Sequence, residues 1–268
     1  KCFDCSFHLI FFLFFIILLQ IRLDFLVSKS YHTHLKNASK SVKMKFCVLG
    51  QTLSYFIYMF GLTAKETALF KKLSTPQKIQ AYLDELPINY EKNGETCSSP
   101  RVAIQNNKAH CIEGALIAAT ALWFHGEKPL LLDLKTINIK IDPDHVVALY
   151  KKNGYWGALS KTNHHVLRSR DPIYKTVREL ALSYFHEYFL TKTGEKTLRM
   201  YSRPFSLKKF GTSWITSEEN LWNIAEALDL SPHFDIVPKT QKTHIHLASH
   251  HERKTASIPE WSKSNPRT

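Results

Sequence analysis

The sequence predicts an α+β fold in which helices are segregated from an antiparallel sheet. Three observations predict it. Two helical patterns, starting near Pro76 and at Cys111, precede any strand signal. Short β-rich runs follow, two of them flanking Asn153-Gly154, the strongest short hairpin signal a sequence offers. Helical patterns then return after Thr176 and Thr216.

The 268 residues suffice for one ordinary domain with tails or for two small domains. An apolar share of 44% excludes wholesale disorder. The formal charge of +13 favours anionic partners. However, the lysines and arginines are scattered along the chain, as on a solvated face, so no specific nucleic-acid partner is expected. Basic and aromatic residues do interleave in "SRPFSLKKF", a pattern that can stack on bases but is more often a packed edge. The five cysteines are Cys2, Cys5, Cys47, Cys97 and Cys111. Their only motif is Cys2-x-x-Cys5, a weak zinc or redox signal without a second pair. A chain that builds its own core has little need of a disulfide framework, and a reducing, cytoplasmic setting is expected.

The first residues are ambiguous. The apolar run Leu9 to Leu19 falls short of the about 20 residues of a membrane span. It has the length of a signal-peptide core, yet the basic flank is thin, Asp4 lies within it, and no small-x-small site follows closely. A membrane anchor, a poor signal peptide and extra sequence upstream of the true start compete. Residues 1–43 are therefore set aside as an apolar leader or a non-native upstream extension. "MKFCVLGQTL" at Met44 is the expected start, and membrane contact is expected only if 1–43 are native. Residues 44–238 form the expected domain, and 239–268 a basic, His-rich mobile tail with almost nothing to bury.

Within the domain, "STPQKIQAYLDELP" has Thr75 as N-cap and Pro76 at the first helical position. Ile79, Tyr82 and Leu83 share a face, and Pro87 is the stop. "NYEKNGETCSSPR" reads as a polar loop. The helix from Cys111 follows, with Gly126 as its breaker. "KPLLLDL" is a run short enough for a buried strand. The hairpin comprises His145–Tyr150 and Tyr155–Leu159. "TVRELALSYFHEYF" is a helix with a Thr176/Glu179 capping box and a stripe of Val177, Leu180, Ala181, Tyr184 and Tyr188. "TSEENLWNIAEALDL" is expected to begin with a second box, Thr216/Glu219.

The Cys111 helix is apolar on nearly every side, from Ile112 through Trp123, and should lie inside the domain against the sheet. Seen alone, such a cysteine is most often a packed core residue. Its place in the first turn changes the balance, because unpaired N–H groups and the positive dipole end there favour a thiolate. A second residue points the same way. With a two-residue turn, Lys152 pairs with Tyr155, placing Val147 opposite Ser160 and His145 opposite Thr162, all on one face. His145 can then offer one ring nitrogen to Cys111 and the other to a polar neighbour, the arrangement of a base held by an orienting group. Glu113 reads as a first-turn acid complementing the helix dipole.

The motifs "HCIEGA" and "DHVVALYKKNGYWGALSKTNH" resemble those of the transglutaminase-like superfamily, and of bacterial transglutaminase-like proteins of undefined role. The likeness covers about Pro76 to Phe205, with the motif match confined to 108–165. It implies a papain-like thiol fold, with a central buried helix packed on an antiparallel sheet. It also implies cysteine chemistry, either acyl transfer or amide or peptide hydrolysis through a Cys111–His145 pair, without a cofactor. The family's third residue, an aspartate, lies four positions beyond the tryptophan, where this chain has Ser160. Ser160 and Asn163 stand level as the orienting residue, while Asp144 alternates to the other face. The expected substrate is a protein or peptide amide. The alternative is a non-catalytic papain-like scaffold that binds a protein partner, which the absent carboxylate favours. A metal site built from His164-His165, His244-x-His246 or His250-His251 is not expected. Tails rarely fix tetrahedral geometry, and adjacent histidines on an extended chain face apart.

Overall fold

The computed structural model describes residues 60–92 and 94–256. The expectations for 1–43 and for a start at Met44 lie outside the described residues, as do 257–268. The chain forms a mixed α+β structure around one antiparallel sheet.

Helix α1 (Ala64–Lys72) opens on a capping box missed in the sequence. Glu66 N–H bonds Thr63 Oγ1 at 3.2 Å, and Thr63 N–H bonds Glu66 Oε2 at 2.7 Å. Helix α2 (Pro76–Glu85) starts as expected, with Thr75 Oγ1 accepting from Lys78 N–H. Its buried residues are Ile79, Gln80 and Leu83, so a glutamine sits where an apolar stripe would be. The loop that follows holds a short helix, α3 (Pro100–Gln105), capped by Ser99. The Ser-Pro pair there starts a helix rather than a turn, because proline's missing N–H costs nothing at the first helical position.

Helix α4 (Cys111–Phe124) is buried at every residue from Ile112 to Leu122. Gly126, at φ +88°, ends it. Gly126 N–H bonds the Trp123 carbonyl and Glu127 N–H that of Leu122, each at 2.9 Å, closing the helix through a left-handed residue.

Strands β1 (Leu130–Thr136), β2 (His145–Lys152), β3 (Tyr155–Leu159), β4 (Arg170–Tyr174), β5 (Leu198–Ser202), β6 (Phe205–Ser206) and β7 (His233–Asp235) form the sheet. The order is β4-β3-β2-β1-β5-β7, with β6 also on β1, and the pairs are antiparallel. Asn153 (φ +50°) and Gly154 (φ +89°) make the two-residue turn, and Lys152 pairs with Tyr155 as expected. The ladder ends at Ala148–Leu159, so the pairing expected for His145 with Thr162 does not form.

Leu132, Leu134, Val147, Leu149 and Ala158 pack with Leu180, Ala181 and Tyr184 of helix α5 (Val177–Phe185). The alternate residues Leu131, Ala148 and Leu159 are also buried, and α4 and α2 pack against these strands. Because successive strand residues point to opposite faces, helices cover both sides of the sheet. This departs from the segregated helices expected. The physical sign is in β2 itself, where six consecutive residues are buried without alternation.

The Thr176/Glu179 box forms at the start of α5. The Thr216/Glu219 box does not. Helix α6 spans Trp222–Asp229, without a side-chain cap, and Glu219 N–H turns to Ser217 Oγ instead. The intervening chain is held across the molecule, with Leu221 N–H on the Cys97 carbonyl at 2.7 Å and Asn220 Oδ1 accepting from Cys97 N–H at 2.9 Å. These long-range bonds delay the helix beyond its local signal. Residues 239–256, grouped with the tail above, carry a 3-10 helix (Lys239–His244) and helix α7 (His250–Ala256). Ala248 N–H bonds the Gly194 carbonyl, and Ala248 and Ala256 are buried. Among the described residues no helix is long and apolar enough to cross a membrane.

Candidate active site

The start of α4 is built around a buried carboxylate. Glu113 Oε2 accepts from His110 N–H at 3.0 Å and Asn89 Nδ2 at 3.2 Å, and its Oε1 from Ser98 N–H and Thr96 Oγ1 at 2.9 Å. Burial alone would raise its pKa, but the His110 charge and the Ser98 and His110 N–H groups outweigh it, and Glu113 is held below its ordinary value. It does more than the dipole role expected, because it knots the preceding loop onto the helix start.

Cys111 is the first helical residue and stays partly open to solvent. Among the described residues no hydrogen bond engages its backbone N–H, as expected for a first-turn amide. Burial raises the thiol's pKa, yet bonds and charge from the His110 and His145 imidazoles reverse this and bring it down to about 5. Both imidazoles act on the sulfur, and its hydrogen-bond contact is with His110 Nδ1 rather than with the expected His145.

The segment after β3 reaches this corner because Gly114 permits it. A Cβ on Gly114 would lie 2.3 Å from the Lys161 Cβ, so only glycine lets Lys161 cross the first turn so closely. Lys161 is buried, and its ammonium donates to the Leu86 carbonyl. One residue earlier, Ser160 Oγ stands 2.8 Å from His145 Nε2. Ser160 also donates to the Leu167 carbonyl at 2.7 Å. A hydroxyl has one proton, and that bond takes it, so Ser160 accepts from His145 Nε2–H. The imidazole tautomer is thereby set, and Nδ1 is the nitrogen left for the sulfur. Asn163 is partly buried, but among the described residues no hydrogen bond joins it to the His145 ring. Asp144 faces Thr136, whose N–H bonds its Oδ1 at 2.7 Å.

Two contributors escaped the sequence reading. Gln80 Oε1 accepts from Ser160 N–H at 3.0 Å, and its Nε2 donates to the Ser160 carbonyl at 2.8 Å and to Asp84 Oδ1 at 2.9 Å, clamping the Ser160 backbone in both directions. Its signal was a polar residue inside the apolar stripe of α2. His110, the N-cap, places Nδ1 4.0 Å from Cys111 Sγ. Its signal was adjacency to the cysteine.

Elsewhere, Asp133, Asp144 and Asp229 bring carboxylate oxygens within 4.8 Å of one another. His233 Nε2 meets Asp133 Oδ2 at 3.1 Å, Thr136 meets Asp144, and Lys135 Nζ meets Asp229 at 2.6 Å, so each carboxylate has a partner within this chain, although Asp133 Oδ1 is buried without one. None of His164, His244, His246, His250 or His251 joins a group of metal-ligand geometry among the described residues. A hollow beside α2, lined by residues including Gln80, Asp84, Tyr150 and Asp171, contains neither Cys111 nor His145 and touches the site only through Gln80. In "SRPFSLKKF" the Lys209 ammonium lies over the Phe205 ring at 4.1 Å, and Phe205 is buried, so that ring is not offered to bases.

No protein-family model matches the chain, and no curated protein is significantly similar to it.

Proposed function

We propose that this protein is a thiol-dependent acyl-transfer enzyme with a transglutaminase-like, papain-like architecture, acting on a protein or peptide amide by hydrolysis or amine transfer. One observation carries the reading. A partly exposed cysteine at the open N-terminus of a buried helix has its thiol pKa lowered by His110 and by His145, and the Nε2–H of His145 is held by Ser160. Among the described residues Cys97 and Cys111 are free thiols, which suits a reducing, cytoplasmic compartment.

In the proposed cycle the thiol's proton rests on His145 Nδ1, and the sulfur attacks the amide carbonyl carbon. The C–S bond forms while the Cys111 N–H supports the developing oxyanion. The C–N bond breaks as the His145 proton moves to the leaving nitrogen. Nδ1 then takes a proton from water or an amine, which attacks the thioester. The C–S bond breaks, and the thiolate–imidazolium pair is restored. No cofactor enters.

The test is reaction with p-nitrophenyl acetate. The expected result is a burst of one nitrophenolate per chain with acetyl located on Cys111, absent in Cys111→Ser. The slower turnover that follows should fall about 10²–10⁴-fold in His145→Ala. The second reading, a non-catalytic papain-like scaffold for a protein partner, is favoured by the neutral Ser160 behind His145 where a carboxylate would stabilise an imidazolium. An unacylated Cys111 in folded protein would select it.

A further inference from the structure

We propose that His110, backed by Glu113 and Glu91, is a standing cation beside Cys111 that keeps the sulfur ionised independently of His145 and passes no proton itself. The proposal rests on the acyl-transfer reading only for its purpose, since the ionisation can be measured without turnover.

The geometry divides the two imidazoles. His110 Nε2 lies 2.9 Å from the Thr96 carbonyl. A carbonyl only accepts, so Nε2 carries hydrogen in either charge state, and the titrating position is Nδ1, the atom 4.0 Å from sulfur. Glu91 Oε1 and Glu113 Oε1 stand 3.5 and 3.6 Å from Nε2. The groups facing His110 are therefore Cys111 beside it, Glu113 one turn on and Glu91 from the preceding loop, all favouring the imidazolium. His145, by contrast, backs onto a neutral hydroxyl. Burial lowers the His110 pKa, but the Cys111 bond and charge and the two glutamates prevail and carry it up to about 9.

The loop is shaped to supply this charge. Glu91 adopts φ +50°, an uncommon conformation for a side-chain-bearing residue, with its N–H 3.3 Å from Asn89 Oδ1. Its carboxylate accepts from Thr96 N–H at 2.6 Å, and Thr96 in turn receives His110. The carboxylate missing behind His145 is thus present behind the other histidine. His110 holds its own proton through both half-reactions, while the proton that is given up and regained is that of His145.

The test is the pH dependence of Cys111 alkylation by iodoacetamide in the full chain. Thiolate is the reactive form, so the wild-type rate should fall as pH drops through about 5. In His110→Gln, whose amide retains a donor for Thr96, the rate at pH 6 should drop at least tenfold. His145→Ala should still alkylate at pH 7 faster than a free thiol. Ring-resolved NMR of the wild type provides the measurement that needs no variant, with His110 expected to titrate near 9 and to shift down in Glu91→Gln. An unchanged acid limb in His110→Gln, or a His110 ring that is neutral at pH 7, would overturn the proposal while leaving the nitrophenyl-ester burst intact. A missing burst with the expected alkylation profile would instead remove the enzymatic reading and leave the counter-ion in place.

Discussion

Ser160 shows how much one hydroxyl decides. It accepts the His145 Nε2 proton, gives its own to Leu167 and is gripped through its backbone by Gln80. In Ser160→Ala the His145 N–H remains buried without a partner, a cost of about 1–3 kcal/mol. The turnover phase of ester hydrolysis should slow about ten- to a hundredfold, while the initial burst persists, because the thiolate has His110 beside it. Ser160→Thr, which keeps the oxygen, should recover most of the rate. Equal loss in the alanine and threonine variants would show that Oγ does not orient the ring. At this scale the sequence offered Cys111 and His145 as candidates from a helix-start position and a strand start, which are local properties, although the hairpin register expected to place His145 stops short of it. It left Ser160 level with Asn163, since choosing between them required knowing that β3 stops at Leu159 and that the chain then passes under the helix.

Helix α4 is the element on which the site is built, and Gly114 is its most sensitive position. Alanine normally improves a helix by about 1 kcal/mol over glycine. Here the added carbon would meet the Lys161 Cβ at 2.3 Å, and overpacking of this kind costs about 1–3 kcal/mol. Gly114→Ala should therefore lower the denaturation midpoint instead of raising it. By displacing residues 160–162 it should also depress turnover more than Cys111 alkylation. A stabilised, fully active variant would refute the close crossing. The elements also show where local signals lose. The Thr216/Glu219 pattern has the same chemistry as the Thr63/Glu66 and Thr176/Glu179 boxes, yet its chain is bonded to Cys97 and cannot turn into a helix there. A cap contributes about 1 kcal/mol and yields to several long-range bonds.

The whole molecule closes its core partly with residues from beyond 238. Ile245 packs against the cluster shared by the sheet and α5, Ala248 is bonded to Gly194, and the Arg253 guanidinium donates to the Lys192 carbonyl at 2.8 Å. Truncation after Pro238 should lower the thermal midpoint by roughly 2–4 °C for each kcal/mol lost, without removing the ester burst. An unchanged midpoint would mean that these contacts contribute nothing. Composition marked the segment as poor in apolar residues, and it is; what composition does not register is that a few small or half-buried groups suffice when a glycine corner receives them. Gly194, at φ +81°, has the Ala248 carbonyl 2.7 Å from where a Cβ would stand.

By itself the sequence determined the helices at 76 and 111, the Asn-Gly hairpin, the mixed α+β class and the two residues proposed for chemistry. Each depends on periodicity, capping or turn geometry within a few neighbours. Tertiary structure alone decided that helices cover both faces of the sheet, that Ser160 receives His145, that Gln80 fixes Ser160 and that His110 faces the sulfur between two carboxylates. Those outcomes depend on groups up to eighty positions apart meeting at hydrogen-bond distance, which no local pattern encodes.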